Sequence, residues 1–335
     1  MKKYVNLFVF VFMIGACLSQ GRAQTKSAVS YKNPVVDIAM PDPTVIKAAD
    51  GYFYVYATES TRNVPIMKSK DLVEWTYCNT AFTNKTRPRF EPKAGIWAPD
   101  INYINGKYVL YYAMSVWGGE QTCGIGVATA NSPQGPFTDH GKMLRSNEIG
   151  VQNSIDPSLL QYEGRNYLVW GSFRGIYVIE LTADGLSIMS GAKKKRIAGT
   201  AFEAVYIHKH DDYYYMFASI GSCCQGVKST YKVVVGRSKK VWGPYKDKTG
   251  KPMLKNGYSL VIGANDHFVG NGHGSQIIQD DAGQDWLLYH GFSRSTPENG
   301  RILLLDQIKW DQEGWPYVEG GSPSYETQKA PVFNN

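Results

Sequence analysis

The sequence predicts an all-β protein folded as a five-bladed β-propeller. Aromatic-rich strand patterns recur at intervals of roughly 50–70 residues, which is typical of propeller blades. Turn pairs such as Asp50-Gly51 separate the strands. No stretch combines a long apolar period of 3.6 residues with helix caps at its ends. The five recurring patterns are Gly51–Thr58, Gly106–Ala113, Gly164–Ser172, Asp212–Ser219 and Gly283–Gly291.

We expect residues 30–325 to form a single catalytic domain. No Ser-, Pro- or Gly-rich linker and no change in composition divides this stretch. All-β folds commonly exceed 200 residues as one domain. The natural alternative for a chain of 335 residues is a TIM barrel, which needs amphipathic helices of about 10–15 residues between its strands. The sequence lacks such helices, and this favours the propeller.

Residues 1–23 have the pattern of an export signal. Two lysines precede an apolar run at residues 5–16, which is too short to span a bilayer. Two cleavage sites remain open. One resembles a bacterial lipobox and would leave Cys17 lipidated, and the other follows Ala23. We therefore expect an exported protein, either in the cell envelope as a lipoprotein or periplasmic enzyme, or secreted.

Charge and cysteine content narrow the expected partners. The net charge of +7 falls to about +4 without the three basic residues of the export signal, and the basic run Lys193–Arg196 has the turn-rich flanks of an exposed loop. We therefore expect that the protein does not bind nucleic acid. The cysteine spacings match neither a disulfide-rich scaffold nor a Cys/His zinc site. The adjacent Cys223 and Cys224 either form a disulfide or pack as small apolar groups.

A polar residue lies just upstream of each recurring pattern. If the strand before each hairpin lines the propeller axis, these five side chains converge on one central pocket. Two of them precede a proline, which is expected to hold the acid in the extended region of backbone space. The five residues are Asp42, Asp100, Asp156, Glu203 and His273.

Three of these carboxylates in one pocket provide the groups needed for glycosidic bond hydrolysis. Burial and like charge raise the pKa of at least one carboxyl, while another stays ionised. Glu203 has apolar neighbours in the sequence, so we assign it as the general acid. Asp42 is then the general base, and Asp156 tunes the acid and orients the substrate.

The motifs in this order resemble glycoside hydrolase family 43, over residues 33–316. A further stretch resembles more narrowly the endo-α-1,5-L-arabinanases of that family. The family motifs are Asp42-Pro43, Trp97–Asp100, Ile155–Pro157, Phe202–Ala204 and Gly272–Gly274. The narrower motifs are Gly221–Tyr231, Val235–Ser238 and Gly243–Tyr245.

The resemblance implies inverting hydrolysis of arabinan, with Asp42 as base, Asp156 as pKa modulator and Glu203 as acid. It also implies that His273 holds a calcium ion whose other ligands are mostly water. Calcium normally prefers oxygen ligands, so the metal rests on the resemblance. The expected substrate-binding residues are Trp97, Asp100, Asn153, Ser172, Phe173 and His290.

Other functions remain open at this stage. An exo-acting arabinanase, an α-L-arabinofuranosidase or a β-xylosidase uses the same chemistry, and insertions at residues 83–95 and 265–272 are long enough to block one end of a cleft. From another class, the chain could be a non-catalytic propeller that binds glycans. We expect a monomer that acts on arabinan or arabino-oligosaccharides, with Cys17 as the candidate lipid anchor.

Overall fold

The structure is a computed structural model that describes Met1 and residues 29–334, and it is a five-bladed β-propeller. The predicted fold class is confirmed. The predicted export signal, apart from Met1, lies outside the described residues, and so does Cys17.

Blades 1 to 4 are each a four-stranded antiparallel sheet, and blade 5 has four such strands with two further short strands paired to them. Blade 1 contains β3 (Thr44–Lys47), β4 (Phe53–Tyr56), β5 (Pro65–Ser69) and β6 (Thr76–Thr80). Blade 2 contains β7 (Gly95–Ile104), β8 (Lys107–Ser115), β9 (Gly124–Ala130) and β10 (Thr138–Arg145). Blade 3 contains β11 (Ser158–Tyr162), β12 (Arg165–Trp170), β13 (Ile176–Glu180) and β14 (Lys195–Ala198). Blade 4 contains β15 (Glu203–His210), β16 (Tyr213–Ile220), β17 (Lys232–Ser238) and β18 (Ser259–Ile262).

Blade 5 combines the two ends of the chain and so closes the ring. Its outer strand β2 comes from the N-terminal side and pairs with β22, with Val36 opposite Leu303. A closed ring leaves only short, protected strand edges. The strands of blade 5 are β19 (Phe268–Gly272), β21 (Asp285–Ser293), β22 (Ile302–Trp310) and β2 (Val36–Ala39).

The folded domain extends past the predicted boundary at residue 325. Strand β1 (Ser30–Tyr31) pairs with β24 (Gln328–Lys329). Beyond that pair, the buried ring of Phe333 lies 4.6 Å from the ring of Phe53 in blade 1. Burial of this last aromatic ring explains why the domain does not end where the recurring pattern ends.

The remaining described elements are short. None of the described helices has the length and apolar character needed to cross a bilayer. The two extra strands are β20 (Ile278–Gln279) and β23 (Pro316–Tyr317). The helical turns are α1 (Ser146–Ile149) and the 3-10 turns Gly226–Lys228, Met253–Lys255, Pro297–Asn299 and Glu319–Gly321.

The hydrophobic core lies between the blades, with a cluster of apolar side chains at each of the five blade junctions. Side chains alternate along a strand, so one strand contributes to two junctions. In β8, Leu110 and Tyr112 pack toward blade 1, whereas Val109 and Tyr111 pack toward blade 3. Burial on both faces explains why the recurring patterns are almost continuously apolar and aromatic.

Candidate active site

A cavity of about 780 Å³ opens at the propeller axis. Eight of the ten residues predicted for the site line it, and Asp100 and His290 do not. The eight are Asp42, Trp97, Asn153, Asp156, Ser172, Phe173, Glu203 and His273.

The backbone takes the same unusual conformation once in each blade, within the innermost strand or no more than two residues from it. A non-glycine residue there has φ between 41° and 55°. Such left-handed residues cost about 1–3 kcal/mol each and concentrate at functional sites. We call these five residues the cavity layer: Asp42, Ala98, Asp156, Ala204 and His273.

The expectation that proline holds Asp42 and Asp156 in the extended region is wrong, because their φ angles are 53° and 55°. Proline disfavours mainly the right-handed helical region for the preceding residue. At Asp42, a tertiary hydrogen bond accompanies the left-handed conformation, since its backbone N–H donates to Nδ1 of His290 at 3.0 Å.

Two residues further along the chain from each member of the cavity layer lies a second set of side chains, which we call the channel layer. Thr44, Asp100 and Tyr206 are hydrogen bonded to one another across three blades, at 2.6–3.3 Å. The same two-residue spacing adds Ser158 from blade 3 and Ser275 from blade 5. The five residues of the channel layer are Thr44, Asp100, Ser158, Tyr206 and Ser275.

Asp100 belongs to the channel layer, which corrects the expectation of a substrate contact. Its side chain is buried, and both carboxylate oxygens are occupied. Oδ1 accepts bonds from Tyr206 and Thr44, and Oδ2 accepts bonds from Asn102 and the backbone of Leu159. Burial raises its pKa to about 6. Asp100 therefore ties blades together beneath the cavity.

Asp42 is surrounded by basic groups. Its Oδ1 accepts a hydrogen bond from Nη1 of Arg301 at 2.7 Å and lies 3.2 Å from Nδ1 of His273. Burial opposes ionisation, but Arg301 and then His273 outweigh it and lower the pKa of Asp42 well below its usual value. Asp42 is therefore an ionised carboxylate that can accept a proton.

His290 does not line the cavity, and it positions Asp42 through a contact with the Asp42 backbone. Its side chain is fully buried, and burial lowers its pKa to about 4. The neutral ring accepts the backbone N–H of Asp42 at Nδ1. This corrects the expectation that His290 contacts substrate.

Glu203 is held by two hydroxyl groups. Oγ of Ser172 donates to Oε2 at 2.6 Å, and the hydroxyl of Tyr231 donates to Oε1 at 2.5 Å. Nδ2 of Asn153 donates in turn to Oγ of Ser172 at 2.9 Å. Gly272 leaves room for Tyr231, since a Cβ there would lie 2.2 Å from its ring. The carboxyl of Glu203 is thus fixed in orientation.

The pKa values of Glu203 and Asp156 are both raised, in contrast to that of Asp42. Burial raises the pKa of Glu203 despite its two hydroxyl donors. Burial, and then the neighbouring Glu203 carboxylate, raise the pKa of Asp156 to about 8. The pair therefore holds a proton near neutral pH, while Asp42 holds none.

Aromatic side chains form one wall of the cavity. The rings of Trp97 and Trp117 lie 5.6 Å apart, and Trp117 is 79% exposed. Phe173 also lines the cavity. Cys223 and Cys224 form a disulfide that lines it as well, which resolves the alternative left open by the sequence. Exposed rings of this kind provide flat surfaces suited to sugar rings.

Sequence reasoning missed three residues of the site. Arg301 and Trp117 line the cavity, and Tyr231 bonds to Glu203. Tyr231 ends a motif that was already singled out, so it was within reach of sequence reasoning. Arg301 immediately precedes β22 and Trp117 follows β8, and neither stands in a motif.

The residues around His273 do not by themselves form a calcium site. Calcium takes six to eight oxygen ligands. Within residues 29–334, no three ligand atoms from His, Cys, Asp or Glu side chains come together around His273. An ion at this position would depend mostly on water, so the calcium expectation remains a prediction.

Comparison with known proteins shows which family this chain and its fold resemble. Residues 31–316 match the model of glycosyl hydrolases family 43. The extracellular endo-α-(1→5)-L-arabinanase 1 of Bacillus subtilis is 36% identical over 289 residues, which cover 82% of this chain and 86% of that protein. The extracellular exo-α-(1→5)-L-arabinofuranosidase of Cellvibrio japonicus is 36% identical over 306 residues, which cover 83% of this chain and 86% of that protein.

Solved structures show the same similarity. An α-L-arabinanase of Cellvibrio cellulosa complexed with arabinohexaose superposes with a TM-score of 0.77 at 33% identity, covering 85% of this chain and 96% of that one. The family 43 endo-arabinanase of Bacillus licheniformis has a TM-score of 0.73 at 31% identity, covering 87% of this chain and 100% of that one.

Proposed function

We propose that this chain, which belongs to glycosyl hydrolases family 43, hydrolyses α-1,5-linked L-arabinan with inversion at the anomeric carbon. The observation that carries the proposal is the divergence of pKa values among three carboxyl groups of one cavity. Asp42 is ionised, whereas Asp156 and Glu203 hold a proton between them. A glycosidase needs one group of each kind.

In the proposed reaction, Asp42 is the general base and Glu203 the general acid. Asp42 accepts a proton from a water molecule as the water oxygen bonds to the anomeric carbon. The bond from that carbon to the leaving oxygen breaks, and Glu203 donates its proton to this oxygen. Asp42 ends protonated and Glu203 ionised, and exchange with solvent restores both.

The other cavity residues support this chemistry. Glu203 and Asp156 each oppose ionisation of the other, so Asp156 helps to keep Glu203 protonated. Arg301 and His273 keep Asp42 ionised. Trp97 and Phe173 are proposed to pack against arabinofuranose rings. Asn153 and Ser172 act on substrate mainly by orienting Glu203.

We propose endo action, in agreement with the arabinanase motifs around Cys223 and Tyr231. The specific alternative is exo action, because an exo-acting relative and an endo-acting relative are equally similar to this chain, at 36% identity each. Incubation with linear arabinan separates them. Mixed oligosaccharides early in the time course support endo action, and a single small sugar from the start supports exo action.

Glu203→Gln tests whether the chain is an enzyme or a glycan-binding propeller. Glutamine keeps the shape of the side chain and removes the titrating proton. We expect wild type to release sugar from linear arabinan and the variant to bind arabinan without releasing it. Equal turnover by both proteins, with binding intact, would support the non-catalytic alternative.

Export also belongs to the proposal, since both extracellular relatives are consistent with it. We propose removal of the N-terminal segment, with Cys17 as a lipid anchor if cleavage occurs at the lipobox-like site. Mass spectrometry of the mature protein tests this, because a free Gln24 at the N-terminus excludes the lipid. Gel filtration tests the expected monomer, and chelation followed by an activity assay tests calcium at His273.

A further inference from the structure

A second cluster of polar side chains lies far from the cavity, at the other end of β15. His208 and His210 project from the same face of this strand because side chains alternate. Seven residues, or roughly 23 Å of strand, separate His210 from Glu203. Asp285 begins β21 in the neighbouring blade 5. One ligand atom from each of the three side chains lies within 4.8 Å of the other two.

Asp285 is a buried carboxylate without a lysine or arginine partner among the described residues. Its side chain is 4% exposed, and the basic group within ion-pair distance in this part of the chain is His210, with Nδ1 3.8 Å from Oδ2. Nε1 of Trp310 donates to Oδ2 at 2.8 Å, and Nε2 of Gln279 donates to Oδ1 at 3.2 Å. These two bonds fix the orientation of the carboxylate toward the histidines.

The ring of His210 is also fixed in orientation. It stacks on Trp310 at a centroid distance of 3.7 Å and an interplanar angle of 6°. While Nδ1 faces Asp285, Nε2 lies 3.6 Å from Oδ2 of Asp211. A carboxylate on the far nitrogen is the usual arrangement around a histidine that binds zinc, since it orients the ring and raises its basicity.

We propose that His208, His210 and Asp285 form a binding site for Zn²⁺ or a divalent ion of similar chemistry, with a fourth position for water. Two imidazoles and one carboxylate are a common zinc donor set. In a tetrahedral site with bonds of about 2.1 Å, ligand atoms lie about 3.4 Å apart, so the three side chains need to approach by roughly 1 Å. The side chain of His210 is 25% exposed, so an ion can reach the three side chains from solvent.

The ion would connect blade 4 to blade 5 and stabilise the junction between them. The sequence contains no indication of a zinc site, because the spacings that indicate one join residues close together in the chain. Sequence reasoning therefore missed this set, because Asp285 joins the two histidines only through the packing of the blades.

Titration of chelator-treated protein with ZnCl₂, followed by calorimetry, tests the site. We expect one equivalent to bind. His208→Gln and His210→Gln should each weaken binding by more than the roughly 10–100-fold that loss of an outer-shell partner costs. Zinc at about 100 times the dissociation constant should raise the wild-type Tm by roughly 5 °C. Arabinan hydrolysis should stay within about twofold of wild type.

His140→Gln is the matched control, because His140 is an exposed surface histidine that bonds to Thr129. It should leave zinc binding unchanged. Anomalous scattering from zinc-soaked wild-type crystals gives a result that does not depend on the folding of any variant. A peak between His208, His210 and Asp285 supports the proposal. A peak only elsewhere, or unchanged affinity in both histidine variants, overturns it.

Discussion

The cavity layer and the channel layer are two rings of side chains around the propeller axis, only two residues apart along the chain. Both contain buried aspartates, yet their environments differ. Asp42 in the cavity layer meets Arg301 and His273, and its pKa is lowered. Asp100 in the channel layer meets four neutral donors, three of them from other blades, and burial raises its pKa to about 6.

Burial alone therefore does not make a carboxylate catalytic. All four donors to Asp100 belong to the protein, so no oxygen is left for a substrate or water. In the cavity layer, Asp42 and Asp156 border open space. Every residue of the cavity layer has a left-handed backbone, and no residue of the channel layer has one. We therefore expect substitutions at the cavity to affect turnover and substitutions in the channel layer to affect stability.

The largest effect is expected for Glu203→Gln. Removing the general acid should lower kcat on arabinan by about 10³–10⁴-fold, the upper part of the range for general acid–base catalysis. Because a buried ionisable group becomes neutral, the free energy of unfolding should not fall. Sugar release and urea unfolding measure the two quantities. Hydrolysis of an aryl arabinoside should slow less, because its good leaving group needs little protonation. An equal loss of kcat on both substrates would contradict the acid role of Glu203.

Arg301→Met should give the next largest loss, about 10²-fold in kcat/KM at neutral pH. Without the guanidinium, the pKa of Asp42 rises, because burial is then opposed only by the weaker effects of His273 and His290. The base must be ionised to act, so the acidic limb of the pH–rate profile should move to higher pH. Arg301→Lys is the control that retains the charge. A profile that falls uniformly without moving would count against this reading of Arg301.

Two tyrosines form a matched pair across the layers, since each donates a hydroxyl to a buried carboxylate. Tyr231→Phe removes a bond that lowers the pKa of Glu203. Loss of this one hydrogen bond to a charged group should reduce kcat by about 10-fold. Because the pKa of Glu203 then rises, the basic limb of the pH–rate profile should move to higher pH. Tyr206→Phe removes the bond to Asp100. It should lower the unfolding free energy by about 1.5–3 kcal/mol and leave kcat within about twofold.

Steady-state kinetics and urea unfolding of both variants check this pair. Loss of activity in Tyr206→Phe equal to that in Tyr231→Phe would remove the distinction between the layers.

The pH dependence of stability provides the last prediction and involves no change in turnover. The folded-state pKa of Asp156 is about 8, above the usual value for an unfolded chain of about 3.9. The folded protein therefore binds this proton more tightly. The resulting stability is fully present below about pH 4 and is lost as pH rises through about 8, by no more than about 1.4 kcal/mol per pH unit. Unfolding from pH 5 to 9 should show this slope in wild type and a weaker slope in Asp156→Asn.

Much of the site could be predicted from local patterns. The Asp-Pro pairs, Phe202–Ala204 and the glycine-flanked His273 are short motifs that repeat at blade spacing, and the cavity unites their polar residues. Asp100 was placed in the cavity because Trp97–Asp100 stands at the same point of the repeat. The residue equivalent to Asp42 is Ala98, and the two-residue offset moves Asp100 into the channel layer.

Residues such as Arg301 could not be found in this way. It reaches Asp42 across 259 positions in the chain, because β22 of the last blade lies beside the first blade in the closed ring. His290 reaches the backbone of Asp42 in the same way. No local pattern records a contact that exists only after ring closure.

Strand period and turn chemistry act over a few neighbouring residues, so the blade count and the strand positions could be predicted from the sequence alone. The motifs likewise predicted three carboxylates that line one cavity. Which buried acids face the cavity, and which is tied into the channel, depends on how the blades pack. The packing of the blades also brings His208, His210 and Asp285 together. The pKa of a buried group depends on the charges and donors around it, and at this site most of those come from other blades.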